Sequence, residues 1–225
     1  MREIVLDTET TGLDPAAGHR IVEIGCVELI NHLPTGRHFH RYVNPERDMP
    51  TEAFAVHGLS AEFLAGHPVF AEVVGDFLEF IGNDPLVIHN ADFDMGFVNA
   101  EIGRLGFPPL PRQRAVDTVA IARRRFPGAQ ANLDALCRRF EIDNSSRTKH
   151  GALLDAELLA EVYLELIGGR QPGLELAAVR AAIASPTAIV REPRPARPHA
   201  PSPDELEAHQ AFVAKLKNAL WSQAE

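Results

Sequence analysis

The sequence predicts an α/β protein built on a mixed sheet with flanking helices. Three apolar stretches, at residues 2–7, 20–30 and 36–43, are separated by short turns and predict a β-meander. From residue 68 onward, short apolar strands alternate with amphipathic helical segments. A meander followed by strand–helix alternation is typical of mixed α/β folds, and 225 residues suffice for one such core plus a tail.

The elements after the meander follow from hydrophobic spacing. Residues 68–81 are predicted to form a helix, because apolar residues recur on one face and Pro68 lies near the start. Residues 85–88 are predicted to form a short buried strand. The remaining predicted elements are a helix at about 94–105, a strand ending at 116–118, and helices at about 117–126, 132–140 and 152–167.

Composition places the chain among soluble globular proteins. Hydrophobic residues make up 45% and charged residues 24% of the chain, and no apolar stretch approaches the roughly 20 residues of a membrane span. The chain starts with a strand rather than a signal region, so a cytoplasmic location without membrane association is expected. Cys26 and Cys137 lie in apolar patterns, which favours buried reduced thiols over a disulfide or a zinc site.

The net charge of −9 is unusual for a protein that binds nucleic acid by itself. Basic residues nevertheless cluster at 123–125, 138–139 and 147–149, and bound metal ions would offset acidic groups locally. The negative net charge still predicts weak binding of nucleic acid by this protein without a partner.

The end of the first strand carries two carboxylates. Asp7 and Glu9 are two residues apart, so in an extended chain their side chains point to the same face. Two carboxylates held together repel each other unless one is protonated or a cation lies between them, and Mg²⁺ and Mn²⁺ prefer oxygen ligands of this kind. Taken alone, such a pair is more often an acidic strand end in a solvated turn.

Two downstream segments extend this pair into an ordered motif. They are residues 89–94 (HNADFD) and 150–155 (HGALLD), each next to an apolar run. Together with residues 7–12 (DTETTG), in this order and spacing, they resemble the motifs of the DEDDh 3′→5′ exonucleases; the resemblance covers residues 3 to about 168. Residues 87–90 and 147–156 are most similar to the branch formed by the proofreading epsilon subunits of bacterial DNA polymerase III. The resemblance implies a ribonuclease H-like fold in which the meander lies beside two parallel strands.

The resemblance also implies a site for two divalent metal ions, Mg²⁺ or Mn²⁺. Asp7 would bridge the ions, Asp94 would bind directly or through water, and His150 would deprotonate the attacking water. Five helical steps would point His150 and Asp155 about 140° apart, so they can share a site only if His150 precedes the helix. Asp92, at a position that the family leaves variable, is expected to cap the helix that follows it. The four expected ligands are Asp7, Glu9, Asp94 and Asp155.

Further residues are expected to contact the substrate. Residues 52–58 match the family segment that holds the terminal nucleotide, with Glu52 on the sugar 3′-hydroxyl and Val56 and His57 against the last base. His89 and Asn90 would position a metal ligand or the substrate. The alternatives are a solvated helix end for Glu52 and ordinary turn residues for His89 and Asn90. The full expected set is Asp7, Thr8, Glu9, Glu52, Val56, His57, His89, Asn90, Phe93 and Asp155.

The chain divides by composition into three regions. Residues 1–169 form the predicted exonuclease domain, residues 170–203 a flexible Pro-rich linker, and residues 204–222 an amphipathic helix. Such a helix is marginal alone in water, so its apolar stripe is expected to bind a partner surface rather than fold back onto its own domain. The stripe consists of Leu206, His209, Val213, Leu216 and Leu220.

Two protein partners are implied by the resemblance. Gln171, Leu174 and Leu176 resemble the short peptide by which bacterial replication proteins bind the sliding clamp, although Leu176 stands where Phe is more usual. The C-terminal helix resembles the region by which epsilon subunits hold the alpha subunit of the polymerase. A tethered second contact would offset weak binding of DNA by the domain itself.

The expected activity is proofreading: hydrolysis of 3′-terminal nucleotides from DNA as nucleoside 5′-monophosphates. Mispaired ends should be preferred, because an unpaired end frays into a cleft at lower cost. Two other functions are considered, an exoribonuclease that trims RNA 3′ ends and a non-catalytic module that stabilises a polymerase. The linker and terminal helix argue against the first, and the intact set of five catalytic positions argues against the second.

Overall fold

The computed structural model describes residues 1–145, 147, 149–169 and 200–216. The chain divides into two units, Met1–Leu174 and Glu175–Glu225. The first unit contains a five-stranded sheet with the order β3-β2-β1-β4-β5. Its strands are β1 (Arg2–Thr10), β2 (Ile21–Ile30), β3 (Leu33–Tyr42), β4 (Leu86–Ile88) and β5 (Ala115–Asp117).

The described helices of this unit follow the strand–helix alternation expected after the meander. Short 3-10 turns lie at Pro15–Ala17 and Arg112–Arg114. The helices are α1 (Thr51–His57), α2 (Ala61–Ala65), α3 (Phe70–Ile81), α4 (Ala91–Arg104), α5 (Thr118–Arg125), α6 (Leu133–Phe140) and α7 (Ala152–Leu166).

The sheet is mixed, as predicted. Strand β1 pairs antiparallel with β2 and parallel with β4, and β4 pairs parallel with β5. Strand β3 extends the meander antiparallel to β2. Because β1 is the middle strand, its side chains are covered by helices on both faces of the sheet, and the acidic residues it carries lie at the centre of the domain.

The core has two layers, one on each face of the sheet. Ile4 and Leu6 belong to the layer packed with α3 and α4, whereas Val5 belongs to the layer packed with α5, α6 and α7. This alternation is the two-residue period of a strand buried on both faces. Asp7 and Glu9 therefore lie on the α7 side of the sheet. Cys26 and Cys137 are buried and unpaired, as expected.

Some boundaries differ from the predictions. Strand β1 was expected to end at residue 7 but continues to Thr10, because its pairing with β2 resumes after an irregularity between Glu9 and Thr10. Helices α1 and α2 were not predicted. Helix α4 begins at Ala91, three residues earlier than expected, because Asn90 takes a left-handed conformation (φ 66°, ψ 59°) that starts the helix sharply.

The second unit contributes one described helix, α8 (Pro203–Val213). Ser202 and Glu205 form a reciprocal capping box at its start, where the sequence predicts a helix N-terminus. The prediction of a continuous helix to residue 222 is wrong at residues 214–216, which form a turn and bend. A short exposed helix has little packing to hold its final turns. Residues 170–199 of the predicted linker (170–203), which include the clamp peptide (171–176), and residues 217–222 lie outside the described residues. Pro203, the last residue of the predicted linker, is the first residue of α8.

Within the described parts of the chain, no helix is long and apolar enough to cross a membrane.

Candidate active site

Strand β1 supplies the first two acids of the site. Asp7 is directly opposite Gly25 of β2, and Glu9 is opposite Glu23. Glu9 is buried, with 8% of its surface exposed. The predicted convergence of Asp7 and Glu9 on one face is confirmed, although both lie within the strand rather than at its end.

Asp94 is fixed by the neighbouring strand residue. It lies in the first turn of α4 and is buried. Its Oδ1 accepts two hydrogen bonds from Thr8, one from the backbone amide at 3.0 Å and one from the hydroxyl at 2.7 Å. These bonds tie the start of α4 to β1 and aim the Asp94 carboxylate at the position of Asp7.

Asp155 reaches the same point from the first turn of α7. The start of this helix lies directly on the sheet, because Gly25 has no side chain: a Cβ there would be 2.3 Å from the carbonyl carbon and oxygen of Ala152. Asp155 is buried, with 3% of its surface exposed. Gly25 is therefore a positional requirement of the site that the sequence motifs do not include.

His150 precedes α7, as its predicted role requires. Gly151 has an extended backbone at the N-cap position, and the helix begins at Ala152. The His150 amide donates to the carbonyl oxygen of Val56 at 3.3 Å, which holds the residue against α1. Its ring is half exposed, and Nδ1 lies 3.4 Å from Oδ2 of Asp155.

The acids perturb each other. Burial, followed by the nearby Asp94 carboxylate, raises the pKa of Asp7 well above its usual value. Burial and the charge of Asp155 raise the pKa of Glu9 to about 8, and burial raises the pKa of Asp94 to about 7 against the opposing hydrogen bonds from Thr8. Burial also acts on Asp155, but adjacent His150 and Arg147 outweigh it and lower the pKa of Asp155.

These residues fit divalent cations. Ligand atoms of Glu9, His150 and Asp155 lie within 4.8 Å of one another, and Asp7 and Asp94 add further carboxylate oxygens to the same cavity. A cluster of buried carboxylates whose mutual repulsion raises their pKa values is stabilised by cations, and hard cations such as Mg²⁺ and Mn²⁺ prefer oxygen ligands. The donor set therefore suits such ions better than a soft metal.

Two adjacent cavities meet at Glu9. The acidic cavity has a volume of about 370 Å³, and the neighbouring, more apolar cavity a volume of about 500 Å³. Thr8, Glu9 and Phe93 line both cavities. The other predicted residues of the acidic cavity are Asp7, His89, Asp94, His150 and Asp155; those of the apolar cavity are Glu52, Val56 and His57.

His57 lines the apolar cavity and has one buried ring nitrogen without a partner among the described residues. Its Nδ1 accepts the amide N–H of Leu59 at 3.0 Å, so the proton of the neutral ring lies on Nε2. Nε2 is buried and has no hydrogen-bond partner among the described residues. Burial lowers the pKa of His57, which favours this neutral form.

Two residues of the second motif lie apart from the cavities. Asn90 is exposed and lines neither of them, so its predicted substrate contact stays a prediction. The prediction that Asp92 caps α4 is wrong, because Asn90 occupies the N-cap position. Asp92 instead accepts a hydrogen bond from Nε of exposed Arg112 at 2.6 Å. This pair leaves Asp92 outside the acidic cluster.

Sequence reasoning missed Arg147 as a component of the site. Its guanidinium binds both carboxylate oxygens of Asp155, at 2.5 and 2.6 Å. The basic run at 147–149 directly before His150 is the signal that could have identified it. Asn132 and Asp134, which also line the acidic cavity, had no comparable signal.

Comparison with known proteins agrees with this geometry. Residues 4–163 match the family model RNase_T, described as exonuclease. The chain belongs to this exonuclease family. Curated relatives named DNA polymerase III subunit epsilon include one from Rickettsia conorii, 49% identical over 230 residues and covering 96% of both chains. One from Escherichia coli K12 is 51% identical over 177 residues, covering 75% of this chain and 72% of the relative.

Solved exonuclease structures share the fold. Exonuclease X, solved in complex with 5′ overhanging duplex DNA, is 25% identical with a TM-score of 0.59, covering 73% of this chain and 90% of that chain. The nuclease domain of 3′hExo, a DEDDh family member solved with rAMP, is 20% identical with a TM-score of 0.63, covering 74% and 91% respectively. The predicted ribonuclease H-like fold and the resemblance to epsilon subunits are confirmed, and the exonuclease is a metal-dependent 3′→5′ enzyme.

Proposed function

We propose that this exonuclease removes mispaired 3′-terminal nucleotides from DNA as the proofreading subunit of a bacterial replicative polymerase. The observation that carries the proposal is the convergence of Asp7, Glu9, Asp94, His150 and Asp155 on one cavity. The family membership and the relatives named DNA polymerase III subunit epsilon support the same role. That role places the protein in the cytoplasm.

The acidic cavity would hold two divalent cations, Mg²⁺ or Mn²⁺. When bound, two such ions neutralise the phosphate charge, lower the pKa of a water and stabilise the leaving oxygen. The four carboxylates are the ligands proposed for them: Asp7, Glu9, Asp94 and Asp155. Thr8 contributes indirectly, because its two hydrogen bonds fix the orientation of Asp94.

His150 is proposed to take the proton from the attacking water. It borders the acidic cavity and its ring is half exposed, so it can both approach a water and return the proton to solvent. A histidine is suited to this transfer because its unperturbed pKa lies close to neutral pH. The backbone bond from His150 to Val56 holds the base beside the cavity that receives the nucleotide.

The apolar cavity is proposed to receive the terminal nucleotide. Val56 and Phe93 offer apolar surface to a base, and Glu52 at the rim can accept a hydrogen bond from the sugar 3′-hydroxyl. His57 lines the same cavity, where its ring can pack against the base. A base must leave its stack to enter this cavity, so a mispaired terminus, which is already unstacked, enters at lower cost.

Two protein contacts complete the proposal. Helix α8 presents exposed apolar side chains at Leu206 and Phe212, with Leu216 just beyond it, which fit contact with the alpha subunit of the polymerase. The predicted clamp peptide of Gln171, Leu174 and Leu176 lies outside the described residues. Deleting residues 186–225 should leave mononucleotide release intact and abolish co-purification with the alpha subunit; a truncated chain that still co-purifies would contradict the assignment of the tail.

The test of substrate class uses 5′-labelled strands of identical sequence as DNA and RNA, single-stranded or annealed with a matched or mismatched 3′ end. The proposal predicts metal-dependent shortening of DNA from the 3′ end, with faster removal of the mismatched nucleotide. A ladder on RNA alone would favour the exoribonuclease alternative. No cleavage of either strand would favour the non-catalytic module.

A further inference from the structure

Arg147 forms a bidentate salt bridge with the carboxylate of Asp155. Its Nε donates to Oδ1 at 2.5 Å and its Nη2 to Oδ2 at 2.6 Å. Both side chains are almost fully buried, with exposed fractions of 8% and 4%. Paired, charge-assisted hydrogen bonds of this kind are among the strongest polar contacts in proteins. Asp155, a proposed metal ligand, thus already has a cationic partner within the chain.

The same guanidinium also engages the proposed base. Nη2 of Arg147 lies 2.8 Å from Nδ1 of His150. Because arginine only donates hydrogen bonds, Nδ1 must accept, and the proton of the neutral ring lies on Nε2. A ring in this state has no free lone pair to receive a proton from water. Nδ1 lies farther from Oδ2 of Asp155, at 3.4 Å, than from the guanidinium.

Arg147 is well placed to balance the acidic cluster. Among the described residues that line the acidic cavity, it is the only Arg or Lys. Its remaining donor, Nη1, binds Oδ1 of Asp134 at 2.8 Å.

We propose that Arg147 is an internal counter-ion that competes with the divalent cations for Asp155 and restrains His150 until they bind. The inference rests on the proposed metal site. A cation that approaches Asp155 meets a carboxylate with both oxygens engaged and a positive charge beside it, so the guanidinium must release Asp155 for full coordination. The same release frees Nδ1 of His150. Arg147 is therefore a positioning residue that couples metal binding to availability of the base.

The first test is calorimetric titration of the full-length protein with Mn²⁺ alone, without nucleic acid. Arg147→Gln should bind Mn²⁺ at least about threefold more tightly than the wild type, because a competing positive charge is removed. Arg147→Lys keeps the positive charge but cannot form the bidentate contact with Asp155. Its affinity for Mn²⁺ should therefore lie closer to that of the wild type. Arg138→Gln is the matched control, because among the described residues exposed Arg138 donates only to the backbone oxygen of Asp134. Equal or weaker Mn²⁺ binding by a folded Arg147→Gln variant would overturn the inference.

A second measurement on the wild type covers the case in which Arg147→Gln fails to fold. The ¹⁵N-edited NMR signal of the Arg147 Nε–H, assigned by its loss in Arg147→Lys, should shift on saturation with diamagnetic Mg²⁺. Its hydrogen exchange should also accelerate as the bond to Asp155 opens. An unchanged signal at saturating Mg²⁺ would show that the pair persists and would overturn the inference.

Nuclease assays on the same preparations separate this inference from the proposed function. If the wild type binds Mn²⁺ and digests DNA while Arg147→Gln gains no affinity, only the role of Arg147 is wrong. If the wild type binds no Mn²⁺, both the metal site and the counter-ion role are wrong. If it binds Mn²⁺ and Arg147→Gln binds more tightly, but neither digests nucleic acid, the counter-ion role stands and the proposed function is wrong.

Discussion

Gly25 of β2 lies directly against the backbone of Ala152 at the first turn of α7. A Cβ at position 25 would be 2.3 Å from the carbonyl oxygen of Ala152 and 2.3 Å from the amide nitrogen of Leu153. No real Cβ is accommodated at such a distance from backbone atoms. The closeness of this contact sets how deeply α7 sits on the sheet and hence where Asp155 meets Asp7.

Substituting Gly25→Ala should therefore displace the start of α7. Overpacking of this kind typically costs about 1–3 kcal/mol of stability, and a misplacement of about 1 Å can cost about 100-fold in rate. Thermal denaturation and single-turnover digestion of labelled DNA measure the two effects. Gly75→Ala is the control, since a Cβ in that helix meets nothing within 4 Å. A Gly25→Ala variant with wild-type stability and rate would show that the contact does not position Asp155.

The acidic cluster should make stability depend on pH when metal is removed. The pKa of Glu9 is raised from 4.5 to about 8 in the folded protein, so the folded state binds more protons than the unfolded state between these values. The contribution of Glu9 to stability is then fully present below about pH 4.5 and is lost as pH rises toward 8, an effect on the order of a few kcal/mol. The lowered pKa of Asp155 acts in the opposite direction, at more acidic pH.

Denaturant unfolding in EDTA from pH 5 to 8 measures this dependence. Glu9→Gln should flatten it, whereas Asp92→Asn should not, because Asp92 lies outside the cluster. Added Mg²⁺ or Mn²⁺ should stabilise the wild type more at pH 8 than at pH 6, because cations bind the ionised carboxylates. Stability that rises steadily with pH in EDTA would contradict the raised pKa values.

The role of His150 predicts a separation of catalysis from metal binding. His150→Gln should lower the single-turnover rate by about 100- to 10,000-fold, the usual contribution of a general base. Its Mn²⁺ affinity should change little, since the carboxylates remain. His38→Gln, on the exposed edge strand β3, provides a control for loss of a histidine elsewhere. Retention of more than half of the wild-type rate in His150→Gln would exclude its role as the base.

Lys149, the residue before His150, contacts α1 and so helps to position the proposed base. The Lys149 ammonium lies 5.0 Å from the centre of the Phe54 ring. Its side chain also covers Gly58, where a Cβ would be 2.7 Å from Cδ of Lys149. Phe54→Ala removes a cation–π contact worth about 0.5–1 kcal/mol, so the single-turnover rate should fall by up to about fivefold without loss of Mn²⁺ affinity.

Phe63→Ala tests whether that effect is specific to the Lys149 contact. Phe63 is exposed to a similar degree, 45% against 40% for Phe54, but packs on Tyr42 and His67. Equal rate losses in the two variants would indicate a general disturbance of α1 and α2 rather than positioning of His150.

Part of the site could be predicted from the sequence by local rules. The two-residue spacing of Asp7 and Glu9 sets a shared face in any strand, and the need for His150 to precede α7 follows from helical geometry. The ligand roles of Asp94 and Asp155 came from resemblance, since nothing local shows that separate helices bring them to β1. The fold class followed from the order of the apolar segments.

Other features depend on tertiary contacts that spacing does not encode. Glu9 lies within β1 because pairing with β2 continues past the irregularity that follows it. Helix α1 was missed because it is short and begins after Pro50, which makes no side-chain cap. The partners of Arg147, His150, Asp155 and Asp134, are three, eight and thirteen residues away along the chain, so no regular spacing reveals its bidentate contact with Asp155.

The assignment of the active site is tested most directly by Mn²⁺-dependent digestion of 5′-labelled DNA with the wild type, Asp7→Ala/Glu9→Ala and Asp92→Asn. Each protein is also titrated with Mn²⁺. Asp92 is the matched control because it belongs to the second motif but pairs with Arg112 outside the cavity. A 3′-shortened ladder is expected for the wild type and for Asp92→Asn. The folded double variant should show neither digestion nor wild-type Mn²⁺ affinity. Digestion by the double variant at the wild-type rate would contradict the assignment of the active site.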